Sequence, residues 1–105
     1  MGIKFDGTNI KNGSTVVANM KRSDELRKGS SSGGEVLGNI KRRDEIRERG
    51  SSGGTVLCNV KDGKNIRERG SSGGRVLCKI SDAAKAIGTS ATGPSTALVW
   101  WFFAK

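Results

Sequence analysis

Histidine and tyrosine are absent from the 105-residue chain. Without His the commonest general base and metal ligand is missing, and neither a Ser-His-Asp nor a Cys-His nucleophile can be assembled. The two Cys fall short of the four ligands a tetrahedral zinc site needs. No metal, cofactor or catalytic residue is therefore expected, and the chain reads as a non-enzyme. Long apolar runs are equally scarce. The longest, residues 97–104 (ALVWWFFA), is far below the roughly 20 residues that span a bilayer. Residues 1–6 (MGIKFD) contain no apolar h-region, so no secretory signal is expected. The address that follows is cytoplasmic, with the inner membrane surface as a second location, and both Cys read as reduced thiols. The Gly-rich stretches hold neither a G-x-x-x-x-G-K-[ST] loop nor a G-x-G-x-x-G turn between strand and helix. Leu, Ile, Val and Phe together make only 22 residues, near the level at which charged chains stay disordered.

What the chain has instead is order of a particular kind. It repeats itself every 20 residues. Residues 33–52 read GGEVLGNIKRRDEIRERGSS and residues 53–72 read GGTVLCNVKDGKNIRERGSS. Residues 13–32 are a divergent copy and residues 73–92 a decayed one. Residues 2–12 resemble the second half of a unit, with Asp6-Gly7 matching Asp62-Gly63 and Ile10 matching Ile66. The chain is thus one domain, residues 1–105, of a half unit, four units and an apolar segment at residues 96–104.

Aligned columns define each unit. Val16, Val36, Val56 and Val76 are followed two residues on by the small Ala18, Gly38, Cys58 and Cys78, then by Met20, Ile40, Val60 and Ile80. A spacing of two puts these columns on one face of a strand. Val17, Leu37, Leu57 and Leu77 between them are also apolar, while Asn19, Asn39, Asn59 and Lys79 read as a face turning polar. KRRDEIRERG alone could be helical, but its counterpart KDGKNIRERG carries an Asp-Gly turn signal, so a hairpin is expected in each unit. The Ser-Ser-Gly-Gly segments supply the second set of turns, giving about ten short strands. Asn59 or Val60 opposite Ile66 are both compatible with the turn. One hairpin is marginal in water, so the units must bury their faces on one another. Radial closure does this and removes exposed edges; a linear stack is the alternative. The small column would leave a void in a ring. Trp100, Trp101, Phe102 and Phe103 could fill it as a central plug, or could contact a membrane or partner surface instead. Pro94-Ser95 reads as the start of that new element. The expected fold is all-β, a pseudo-four-fold ring or shallow barrel of hairpins with the apolar C-terminal segment packed in the centre.

The pattern G-x-V-L-x-N-I…I-R-x-G-S-S-G-G, spread over residues 13–92, resembles the bacterial beta-flower repeats, hairpin petals set around a central axis. The resemblance implies a shallow barrel with an apolar inner channel, loosely similar to the C-terminal domain of Tubby-like proteins. It implies no reaction and so no catalytic residue. The last copy departs from it, with Lys85-Ala86-Ile87-Gly88 in place of Asn65-Ile66-Arg67-Glu68.

Charge suggests a use. Nineteen Lys and Arg against ten Asp and Glu leave a formal net charge of +9. Basic residues recur by column: Lys21, Lys41 and Lys61; Arg27, Arg47 and Arg67; Arg49 and Arg69. In a ring these columns become belts of positive potential. The first six are the candidate anion-binding residues, with an anionic lipid surface or other polyanion as partner. The strands hold no aromatics to stack bases, which argues against nucleic acid. The alternatives are a structural or assembly scaffold whose charge serves solubility, homo-oligomeric or not, and a membrane-associated module that uses the WWFF tail. Cys58 and Cys78 read as small core residues.

Overall fold

A computed structural model describes residues 2–21, 25–29, 34–41, 44–49, 55–70, 74–90 and 93–105. Among the described residues nine strands follow one another: β1 (Ile3–Phe5), β2 (Asn9–Asn12), β3 (Thr15–Lys21), β4 (Glu25–Lys28), β5 (Val36–Lys41), β6 (Glu45–Glu48), β7 (Val56–Asn59), β8 (Asn65–Glu68) and β9 (Val76–Lys79). Two helices close the order, α1 (Ile80–Ala86) and α2 (Pro94–Phe103). Every strand pairs antiparallel with its sequence neighbours, in the order β1 to β9, so strands consecutive in the chain are adjacent in space. The sheet is open: β1 and β9 are its two edges and do not pair.

The register puts one apolar row on one face. Ile10 lies opposite Ala18, Met20 opposite Leu26, Leu26 opposite Gly38, Ile46 opposite Cys58 and Ile66 opposite Cys78. Ile10, Leu26, Ile46 and Ile66 are fully buried. Asn59 pairs with Arg67, not with Ile66. The pairing slips at the same place in successive units, between Leu26 and Arg27, Ile46 and Arg47, and Ile66 and Arg67. The bulge opposes Arg47 to Val56 and leaves Leu57 as the extra residue. That explains why the Leu column is apolar although it breaks the alternation.

The Asn column is not a solvated face. Asn19, Asn39 and Asn59 are 7%, 1% and 0% exposed. Their side-chain amides donate to the carbonyls of Gly29, Arg49 and Arg69 respectively. Those three residues have φ of 79°, 60° and 59°, the left-handed region. The amide gives the carbonyl of each left-handed residue a hydrogen-bond partner.

No tenth strand forms among the described residues, and two features of the fourth unit explain it. Lys79 stands where the Asn would hold the turn, and Ala83, Ala84 and Ala86 favour a helix. Ile80, Ala83, Ala84 and Ile87 are buried at spacings of three, four and seven, an amphipathic stripe. α1 ends on Gly88 at φ 63°, where Gly88 N–H donates to the Lys85 carbonyl and Thr89 N–H to that of Ala84, a Schellman closure. Phe5 N–H at the sheet's first edge donates to the Ile87 carbonyl at 2.8 Å.

α2 starts with Pro94 in its first turn, where a missing N–H costs nothing. It packs on β5, β6, β7 and α1. Thr96, Ala97, Leu98, Val99 and Trp100 are buried. Gly38 makes this possible: a Cβ there would lie 2.7 Å from Phe102 Cε2 and 2.9 Å from Leu98 Cδ1. Each fully buried Leu or Val contributes about 1.5–3 kcal/mol, and an apolar-poor sheet needs that contribution.

Candidate anion site on the outer face

The face opposite the apolar row carries the basic columns. Arg27, Arg47 and Arg67 are each held within the fold. Arg27 Nη2 donates to Glu25 Oε1 at 2.9 Å and its Nη1 to the Gly34 carbonyl at 2.9 Å. Arg47 Nη2 donates to Glu45 Oε1 at 2.8 Å. Arg67 Nε donates to Asp62 Oδ2 at 2.9 Å and its Nη1 to the Gly74 carbonyl at 2.8 Å. In Arg27 and Arg67 the planar guanidinium thus ties an acid on its own strand or turn to a Gly carbonyl before the next strand, a two-sided contact that suits Arg.

The lysine column divides. Lys61 Nζ lies 3.4 Å from Glu45 Oε2, so Glu45 receives two cations. Their hydrogen bonds, Arg47 first, hold its carboxyl below the ordinary value against the opposing effect of desolvation. Lys41 is half-buried and joins no ion pair among the described residues. The Lys21 side chain lies outside the described residues. Arg49 and Arg69 are exposed at the left-handed turns.

Residues not singled out by the columns prove as notable. Lys4 and Lys11 are register partners across β1 and β2, both exposed, and neither joins an ion pair among the described residues. Like charges directly opposite destabilise a sheet. Lys79 on β9 faces Asn65 on β8, and Lys64 precedes it in the turn. Gly63, Lys64, Asn65, Lys79, Ile80 and Ser81 line a cleft of about 460 Å³. The signal for it was in the alignment, where a column of Asn ends in Lys79.

The aromatic tail faces inward in part. Trp100 is 8% exposed, while Trp101, Phe102 and Phe103 are half-buried against the core. Lys105 Nζ sits 4.2 Å from the Trp101 ring centroid. No helix among the described residues is long and apolar enough to cross a membrane. Among those residues, no group of three or more His, Cys, Asp or Glu is placed to hold a metal. Cys58 and Cys78 are free thiols, the first buried and the second half-buried. Burial pushes the Cys58 thiol up to about 12 and also raises that of Cys78.

No family model, curated protein or solved structure matches the chain.

Proposed function

We propose that the protein is a non-catalytic module that binds an anionic surface or ligand through the lysines of its outer sheet face. One observation carries this reading: the Arg column is neutralised by its own acids, whereas Lys4, Lys11, Lys64 and Lys79 are exposed and join no ion pair among the described residues. A pair of opposed lysines costs stability in the free protein, and an anion laid across it removes that cost. Each Lys near an anionic membrane contributes about 1 kcal/mol. The kinship with beta-flower repeats and the closure into a ring belong to the same proposal. The bond from Phe5 to Ile87 supports closure, with α1 occupying the gap that a tenth strand would fill. The burial of Trp100 supports a tail serving as core rather than as a membrane contact.

Sedimentation with vesicles tests the reading. Binding to phosphatidylserine vesicles that weakens steeply with added salt, with none to neutral phosphatidylcholine, is the expected result. Equal binding to both vesicles, or none to either, overturns it and leaves a scaffold role.

A further inference from the structure

The cleft lies where the third and fourth units meet, and the junction before it shares its strand pairing. Ile66 faces Cys78 as Ile46 faces Cys58. Asn65 faces Lys79 as Glu45 faces Asn59. Ile80 N–H donates to the Lys64 carbonyl at 2.9 Å, as Val60 N–H does to the Asp44 carbonyl at 2.9 Å. On this shared frame the charges invert. The earlier junction holds Asp44, Glu45, Asn59 and Lys61, formally −1; the later one holds Lys64, Asn65, Lys79 and Ser81, formally +2. The earlier junction is also bridged, because Lys61 reaches across to Glu45. In the later one Ser81 replaces that Lys and Asn65 replaces that Glu, so no such bridge forms.

Of the nearby acids, Asp82 lowers the later junction to formally +1, still opposite in sign to the earlier one. Asp62 is engaged: its Oδ1 accepts the Lys64 and Asn65 backbone N–H groups, and its Oδ2 accepts Asn65 Nδ2 and Arg67 Nε. Asp82 follows Ser81 in the first turn of α1 and is exposed. At about 460 Å³ the cleft has small-molecule size. Two ammonium groups and a hydroxyl suit a compact oxyanion of two or more charges.

We infer that this cleft is a binding site for a phosphate-type oxyanion, borne by a soluble phosphate compound or by a lipid headgroup. The inference rests on the reading of the outer face as anion-binding and assigns that reading a specific subsite.

Calorimetric titration of the full chain with inorganic pyrophosphate tests it, beside vesicle sedimentation. The variant Lys64→Asp/Asn65→Glu/Lys79→Asn installs three of the preceding junction's four residues and keeps Ser81. The single variant Lys79→Gln guards against a folding defect in the triple. Expected are saturable binding by the wild type, a loss of tenfold or more in the triple, and a smaller loss in Lys79→Gln with an unchanged dichroism spectrum. A preference for phosphatidic acid over phosphatidylserine vesicles, lost in the triple, identifies the lipid source; pyrophosphate binding without that preference identifies the soluble one. No saturable binding by the wild type, or equal binding by both variants, overturns the inference even if salt-sensitive vesicle binding persists. Pyrophosphate binding without any vesicle binding upholds the cleft and overturns the surface reading instead.

Discussion

The side-chain amide of Asn59 donates to the carbonyl of Arg69 at 2.6 Å, and its Oδ1 accepts the Lys61 N–H at 3.1 Å. One buried side chain thereby ties both ends of a unit: the turn before β8 and the left-handed residue after it.

Asn59→Leu keeps the volume but leaves the Arg69 carbonyl and the Lys61 N–H without these partners. It should cost about 1–3 kcal/mol in denaturant unfolding. Arg69→Gly removes a side chain from a left-handed position that Gly29 fills in the first unit. Relief of strain outweighs the added chain entropy, so a gain of up to about 1 kcal/mol is expected. A destabilised Arg69→Gly with a neutral Asn59→Leu would contradict this role.

The small column is a contact surface for α2. In Gly38→Ala the new methyl meets Leu98 and Phe102 below 3.0 Å and the Arg47 carbonyl at 3.0 Å, so the helix must shift. A loss of about 1–3 kcal/mol follows, readable as a melting temperature lower by several degrees. Trp fluorescence should redden as Trp100 becomes wetter. An unchanged melting temperature would mean that α2 does not pack against Gly38.

The two thiols should react in order. Cys58 is buried and its thiol stays protonated far above neutral pH, while Cys78 is half-buried. Iodoacetamide at mildly alkaline pH should label Cys78 slowly and Cys58 only after denaturation, as mass spectrometry of the peptides would show. Labelling of Cys58 first would place it outside the core.

Stability should fall in acid by way of Glu45. Its folded value lies below the ordinary 4.5, owing first to Arg47. A depressed carboxyl contributes stability that is fully present above the unfolded value and is lost as pH falls through the folded one. Unfolding midpoints should therefore drop below about pH 4.5, and Glu45→Gln should be less stable at neutral pH with a flatter acid limb. An acid limb as steep in Glu45→Gln as in the wild type would assign the loss to other carboxyls.

The antiparallel hairpin-like strands were legible because period-two columns and an Asp-Gly turn act locally. Asp6 and Asp62 do accept equivalent backbone bonds, from Thr8 and Asn9 and from Lys64 and Asn65. The Asn column misled because polarity along a strand signals solvent unless its partner is known, and that partner is a carbonyl ten residues away. The stripe Ile80, Ala83, Ala84, Ile87 was present in the sequence, but the match to the strand units masked it. The open sheet follows from it: α1 begins where a further strand would have continued the sheet beyond β9. For the candidate site, the columns located positive charge without showing which cations had acids of their own. That depended on Glu25, Glu45 and Asp62 lying beside their Arg residues in space.

The most direct measurement compares the wild type with Lys4→Gln/Lys11→Gln/Lys64→Gln/Lys79→Gln on phosphatidylserine vesicles across a salt series. All four side chains are exposed, so the fold should persist. The expected result is an affinity at least tenfold weaker with a shallower salt dependence, each Lys contributing about 1 kcal/mol. Undiminished affinity in the fourfold variant would contradict the claim that these lysines carry the function.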